Sequence, residues 1–506
     1  MMPTADADIL LDDAFESENQ PRNRMDRKKS LQEHGISSPL RKSTSVAANK
    51  TMNLTEVYQR ASDHNAQWQA QQAKSFADRQ AQELALSQLL PQITADIQYG
   101  QSRYDGNSID LSPDDAQIDG CLTELGNRSV NNLSFSALTD TLGCLFTSNN
   151  GNSTFTSTSY NLRFSQALIR LPKWYEYQSG RMLRRKALLD LEIARQSLQL
   201  QSATLYLNSA KTTQLLQQQQ QQLNTMQQVF NAKQQAYENG LISSGDVIEN
   251  QAQLDLMKTT VLQAQLEAEN AQNDLQDFIQ EPNANISAYI NQLPLETPQS
   301  DDLNDWLRKG QQNNLELKSA RAAVEASRFS YLAQKMLHAP TLDFIGQYSQ
   351  VDSGAATAVL DEGKTTNSSM GLSLSVPLFT GGYLSANRAQ AKFQNKEATW
   401  SAAHLQQSIQ TQIRKQSRTI NVLILQIQQQ RDALASNEKA LSAITQGYRN
   451  GVRHSADVFK AQMDVLSLKR NHTEMQYNYL LATLQLKQLI GILSARDLAT
   501  LDAWLK

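Results

Sequence analysis

Four short stretches of the chain alternate apolar with polar residues. Ile93, Ala95, Ile97 and Tyr99 alternate with Thr94, Asp96, Gln98 and Gly100. Tyr160, Leu162 and Phe164 alternate with Asn161, Arg163 and Ser165. Leu342, Phe344 and Tyr348 stand against Asp343 and Gln347, and Met370, Leu372, Leu374 and Val376 against Gly371, Ser373 and Ser375. A period of two predicts strands with one apolar and one polar face. Between them the period changes. From about Arg170 to Ala236 no proline follows Pro172, and one glycine, Gly180, intervenes. At about 1.5 Å per residue this predicts roughly 100 Å of helix. A second such stretch runs from about Tyr383 to Gln446.

Both long stretches carry apolar residues at a 4-3 spacing. The second reads Ile409, Ile413, Gln416, Ile420, Leu423, Ile427, Gln430, Leu434, Asn437, Leu441 and Ile444. The first reads Ala187, Leu191, Ala194, Leu198, Gln201, Leu205, Asn208, Thr212 and Leu215. A sustained heptad predicts a coiled coil. Gln and Asn interrupt both seams, so they bury less than a leucine zipper does, as a long hollow assembly requires. The run Gln217–Gln222 predicts a solvated helical face.

The chain also resembles itself. Leu54–Pro91 and Leu303–Pro340 are helix-like stretches of equal length, each ending in a proline followed by an alternating segment. Further on, Tyr237-Glu-Asn-Gly240 with Asp246-Val247 matches Tyr448-Arg-Asn-Gly451 with Asp457-Val458 at the same internal spacing. The halves differ by extra sequence between residues 91 and 168. A two-fold internal repeat follows, with three parts: residues 1–50, a first repeat over 51–290 and a second over 291–506. Gly240 and Gly451 suit helix C-termini, and Ser243 or Ser455 can cap the helix that follows.

The first 50 residues lack apolar periodicity and split into an acidic and a basic half, which predicts a disordered segment. They contain no 7–15-residue apolar core of a secretory signal. The net charge of -3 gives no basic footprint for nucleic acid. None of the six histidines (His34, His64, His338, His404, His454 and His472) pairs with a cysteine or carboxylate in a catalytic or metal-binding constellation. P-loop, GxGxxG and GxSxG motifs are missing, so no catalytic site, metal or cofactor is expected. Cys121 and Cys144 lie in the excess segment beside Gly120 and Gly143. In an oxidising compartment they are expected to form a disulfide in an exposed loop of the first hairpin; two unpaired thiols are the alternative.

No stretch approaches the roughly 18 apolar residues of a membrane helix. The strands allow a soluble sheet on a core, or a transmembrane barrel with its apolar side outward. Four strands cannot close a barrel, which takes about eight, and open edges are not tolerated in lipid. Strands that span a membrane here must therefore share a barrel with other chains.

Several segments resemble the TolC family of outer-membrane efflux and type I secretion channels. They are Tyr448-Arg-Asn-Gly-Val-Arg-His-Ser-Ala-Asp-Val, Gln476-Tyr477-Asn478-Tyr479-Leu480 and Asp497-Leu498-Ala499-Thr500-Leu501. Ser375-Val-Pro-Leu-Phe-Thr-Gly-Gly382, Ser165-Gln-Ala-Leu168 and Pro172-Lys-Trp174 belong with them. The resemblance implies a mainly α fold with a β-barrel portion. Three chains would share a twelve-stranded barrel in outer-membrane lipid, above a long α-helical coiled-coil barrel in the periplasm. An equatorial belt would use a strap around residues 280–302 (Pro282, Pro294, Pro298) and the C-terminal tail.

The resemblance also implies partners and a gate. The homotrimer would work with a periplasmic adaptor (membrane fusion) protein and an inner-membrane pump or ABC transporter. The Tyr-x-Asn-Gly turns would be the periplasmic tips. Arg453 and Tyr448 would hold neighbouring helices through Asp246, and Asp457 would face the pore. A second acid one turn after Asp457 is usual in the family; here that position is Lys460, and its counterpart in the first repeat is Glu249. The constriction is therefore expected to be of mixed charge. Gly240, Leu241, Gly451 and Val452 are expected to dock the adaptor, since glycine admits a close partner backbone. The competing reading from heptads alone is a cytosolic coiled-coil scaffold.

Overall fold

The computed structural model describes residues 51–110, 147–286, 303–354 and 363–505, with Tyr289, Ile290, Leu293 and Leu295. The expectations for residues 1–50 and for the Cys121–Cys144 disulfide lie outside the described residues.

The chain begins with α1 (Leu54–His64) and α2 (Ala66–Ser87), then β1 (Gln92–Asp110) and β2 (Thr147–Ile169). Next come α3 (Leu171–Glu238) and α4 (Ser244–Ile279). The same order of types then recurs: α5 (Leu303–Asn313), α6 (Leu315–Lys335), β3 (Thr341–Gly354), β4 (Gly363–Ser375), α7 (Tyr383–Arg449) and α8 (Ser455–Leu489). The final helix is α9 (Ala495–Trp504). The fold is mainly helical with one small sheet.

One asparagine joins each pair of short helices. Asn65 N–H closes α1 on Ala61 C=O, while its side-chain oxygen accepts from Trp68 N–H at the start of α2 (3.0 Å for both). Its amide then donates to Phe278 C=O at the end of α4 (3.2 Å). Asn314 repeats all three roles. It closes α5 on Gly310, caps α6 through Leu317 N–H (2.8 Å) and donates to Leu489 C=O at the end of α8 (2.7 Å). An amide side chain both accepts and donates, so one residue serves three elements.

The sheet is antiparallel in the order β1-β2-β3-β4. Ile93 stands opposite Phe164, Phe164 opposite Gly346, and Gly346 opposite Met370. Ala95, Leu162 and Tyr348 form the next row. Directly opposed residues share a face, so all four alternating segments put their apolar residues on the same side. That side is not covered by the chain: Ile97 is 72 % exposed and Met370 82 %. Phe164 and Phe344 meet edge to face, with ring centroids 5.7 Å apart. β1 and β4 are the sheet's free edges.

The two long helices are 68 and 67 residues, roughly 100 Å each at 1.5 Å per residue. Pro172 sits in the first turn of α3, where its missing N–H costs nothing. Along α7 the predicted seam is the buried one: Ile409, Ile413, Ile420 and Ile427 are all buried. Gln416, within the seam, donates to Ala482 C=O (3.0 Å) and Gln485 (2.9 Å) on α8. On α3 the predicted seam gives way in mid-helix. Leu198, Ser202, Ala203, Tyr206, Leu207 and Ala210 are buried, while Gln201 is exposed. Helices α1, α4, α6 and α8 all pack against α3, so a broad face is covered where small residues allow close approach. Ser202 satisfies its own hydroxyl on Leu198 C=O (2.7 Å). The glutamine run is not wholly solvated either. Gln219 is buried, and Gln218 donates to Thr473 Oγ1 on α8 (3.1 Å).

The main core lies where the short helices meet the long ones. Leu54, Val57, Ile413, Ile420, Leu480, Ile490 and Leu498 belong to it and are almost fully buried. The first and last described segments join it: Met52 N–H donates to Asn285 C=O (3.0 Å), and Ile290 bridges Leu505. Asp502 on α9 accepts from Leu54 N–H (2.7 Å) and Thr55 N–H (2.9 Å), so a residue near the end of the chain caps its first described helix.

Candidate functional site at the helix turns

α3 and α7 end in the same way. Gly240 has φ 73° and Gly451 φ 75°. Gly240 N–H donates to Tyr237 C=O and Leu241 N–H to Ala236 C=O, both at 2.8 Å. Gly451 N–H donates to Tyr448 C=O (3.0 Å) and Val452 N–H to Gly447 C=O (2.9 Å). This paired closure needs a left-handed residue, which glycine supplies without strain.

The helices that follow start differently. Ser243 caps α4: its hydroxyl accepts from Asp246 N–H (3.2 Å) and donates to the Asp246 carboxylate (2.8 Å). In the second turn Ser455 is not the cap. His454 occupies that position and Ser455 is the first helical residue, buried. The Asp457 carboxylate accepts from His454 N–H (3.3 Å), a bond back to the cap residue's own backbone in place of the side-chain cap that Ser243 gives α4.

The two turns are joined by a residue that no sequence pattern marked. Lys233 of α3 is 7 % exposed, and its ammonium has no hydrogen-bond partner. It lies 5.2 Å from the centre of the Tyr448 ring. Burial pushes its pKa down; the Asp246 and Glu249 carboxylates push it part of the way back. Burial, and then Asp246, push the Tyr448 phenol up. Lys233, Tyr448, Asp246 and Glu249 therefore form one electrostatic cluster. A cavity of about 50 Å³ lies beside it, lined in part by Met226, Asn250, Ser455 and Phe459.

Arg453 points elsewhere within the chain. It pairs with Asp457 at 3.8 Å on its own turn, and its stem crosses Gly447. A Cβ at Gly447 would come within 3.1 Å of Arg453 Cγ, so the arginine stem would have to shift slightly to admit one. Lys460 is exposed, with no ionic partner among the described residues. Leu241 and Val452 are 76 % and 78 % exposed at the turns. Among the described residues no group of His, Cys, Asp and Glu could hold a metal ion, and no helix is long and apolar enough to cross a membrane.

Residues 306–492 match the family described as Outer membrane efflux protein. The chain is similar to Outer membrane protein TolC of Escherichia coli, with 25 % identity over 466 residues, 89 % of this chain and 84 % of the relative. It is similar to the Proteases secretion protein PrtF of Dickeya chrysanthemi, with 25 % identity covering 68 % and 74 % of the two chains. Among solved structures it resembles the Campylobacter jejuni CmeC outer membrane channel, with a TM-score of 0.68, 15 % identity and coverage of 93 % and 94 %.

The chain is similar to the TolC family of outer-membrane efflux proteins.

From these relatives the chain resides in the outer membrane and extends into the periplasm. The family is one of transport ducts and not of enzymes. Most of the segments that carry the resemblance build the scaffold. Tyr477, Tyr479 and Leu480 are core, with the Tyr477 hydroxyl donating to Gln214 on α3 (2.9 Å). Asp497 accepts from Ser494 N–H (2.9 Å) and pairs with Lys487 (2.6 Å), which fixes the start of α9. At the base of the sheet Arg170 pairs with Asp343 (2.7 Å). Trp174, Phe379 and Tyr383 stand exposed at the junction of sheet and helices.

Proposed function

We infer that this chain is one protomer of a homotrimeric exit duct for efflux or type I secretion. The observation that carries the reading is the sheet, with one uncovered apolar face and two free edges in a chain of an outer-membrane family. An apolar outer face suits lipid, and an unpaired edge does not. Twelve strands from three chains leave no edge, and they remove the need for any strand beyond the four present. Exposed Trp174, Phe379 and Tyr383 fit an interfacial aromatic girdle. A cytosolic scaffold would have no use for that face.

In this reading the periplasmic turns form the gate. Arg453 and Tyr448 act on Asp246 of neighbouring helices, with Lys233 buried behind Tyr448. Asp457, Glu249 and Lys460 line a constriction of mixed charge. Gly240, Leu241, Gly451 and Val452 receive a periplasmic adaptor, which joins the duct to an inner-membrane pump or ABC transporter. Native mass in detergent and conductance in planar bilayers test the assembly. A trimer that conducts is expected; a monomer that conducts would overturn the shared barrel.

A further inference from the structure

Lys233 stands where the fold asks for no charge. It lies four residues before Tyr237, and the same place in the second repeat, four residues before Tyr448, holds Ile444. Ile444 belongs to the apolar seam predicted for α7, so an aliphatic side chain serves this position of the repeat. α3 carries a lysine there instead, 7 % exposed. Met226, Val229, Val458 and Phe459 line the cavity beside it.

The groups that face the ammonium do not satisfy it. From α4, Asp246 and Glu249 act on it through space, and neither forms an ion pair with it among the described residues. The Asp246 carboxylate accepts from the Ser243 hydroxyl (2.8 Å), and the Glu249 carboxylate accepts from the Gln253 amide (3.4 Å). From α7 comes the Tyr448 ring, 5.2 Å away. α8 contributes Ser455, Phe459 and Gln462, none of them charged. The face of a ring returns part of what an ammonium loses with its water. A buried charge without hydrogen bonds still disfavours the arrangement that buries it. The closed tip is therefore held against the preference of this side chain, and any movement that parts α3 from Tyr448 relieves it.

We propose that opening of the tip carries Lys233 into water, so that this lysine opposes closure and couples opening to proton uptake by each chain. The inference rests on the reading of the turns as the gate. Burial in the closed tip favours the neutral amine, whereas a hydrated lysine keeps its ordinary basicity. Each chain then binds up to one more proton when open. Between the lowered pKa and 10.5, the open-to-closed ratio falls up to about tenfold per chain for each unit of pH gained.

Amine labelling of the full chain in detergent tests the exposure, with mass spectrometry reading each lysine. The reagent is trinitrobenzenesulfonate, which is larger than the cavity. Lys439 and Lys460, both exposed, are the internal standards. In the wild-type chain Lys233 is expected to react at least about tenfold more slowly than these standards, as a group that reacts only on local opening does. In Arg453→Ser with Tyr448→Phe it should approach their rate while conductance in planar bilayers rises. If conductance rises and Lys233 stays protected, the gate reading stands and the coupling is overturned. If Lys233 reacts as fast as the standards in the wild-type chain, it is not buried and the coupling is again overturned. If the double variant leaves conductance unchanged, the gate reading and the coupling fall together. A second variant separates charge from packing. Lys233→Ile installs the side chain of the second repeat and is expected to abolish the pH dependence of conductance; a dependence equal to that of the wild-type chain would overturn the proposal.

Discussion

The belt where the short helices meet the long ones and the tip where the long helices turn are built from the same helices to opposite ends. In the belt, α1, α3, α7, α8 and α9 share one apolar core, and the chain ends are tied into it by Asp502, Met52 and Leu505. Near the tip the core shrinks to Met226, Leu254, Met257 and Val261. Beyond it stands a buried lysine without a hydrogen-bond partner. Apolar burial is strong and non-directional, so the belt has one good arrangement. Charges at half-covered sites are individually weak, so the tip is held by a sum of small contributions. The same polypeptide thus combines a densely packed collar with a sparsely packed tip.

The largest effects should come from breaking the collar. Ile413 is fully buried, and Gly310 is pressed against its side chain. Ile413→Ala is expected to cost about 2–5 kcal/mol, read as a lowered denaturation midpoint. An equal loss from Met226→Ala near the tip would abolish the contrast. Asp502→Ala removes the carboxylate that caps α1 and should cost about 0.5–2 kcal/mol, as for other helix caps. Loosening of α1, seen as faster amide exchange over residues 54–57, should accompany it.

Tip variants should leave the denaturation midpoint nearly unchanged and alter gating instead. Lys233→Glu sets a third acid beside Asp246 and Glu249, and is expected to raise open conductance, as is Arg453→Ser with Tyr448→Phe. Lys233→Met should do the reverse, because it removes a buried charge that burial disfavours. The sign of the pH effect follows. In the closed tip Lys233 holds its proton less tightly than the ordinary value of 10.5, so the closed form gains stability as pH rises toward that value. Conductance should therefore fall between neutral pH and about pH 10, and lose that dependence in Lys233→Met. A wild-type chain without this slope would mean that Lys233 stays buried when the tip opens. The smallest expected change is Lys460→Asp, which leaves the fold alone and shifts the reversal potential in a salt gradient toward cation selectivity. An unmoved potential would place Lys460 away from the pore.

Periodicity made the four strands and both long helices legible, and glycine chemistry located both turns. Each rests on local rules: a period of two or of 3.5, and a φ that only glycine adopts readily. The mid-helix seam of α3 departs from the heptad because α1, α2, α4, α6 and α8 all pack against this helix, and a heptad assumes one partner. Ser455 was expected to cap α8, but the spacing that puts Ser243 three residues after Gly240 puts His454, not Ser455, three residues after Gly451. Lys233 carried no local signal at all. It stands in a polar stretch, Asn231-Ala-Lys233-Gln-Gln, and becomes special only because Tyr448 lies over it.

The sequence by itself determined which segments are strand and which are helix, where the long helices stop, and that each strand has one apolar side. These are properties of neighbours along the chain, where spacing and backbone sterics decide. Only the tertiary structure decided that all four strands put their apolar residues on the same face, since that depends on register between distant segments. It alone explained Gly180, where a Cβ would meet Ala81 C=O of α2 at 2.8 Å. It alone let Asp502 cap a helix at the other end of the chain and buried one lysine among many. Desolvation and close approach are set by what arrives from elsewhere in the fold, and nothing adjacent in the sequence records it.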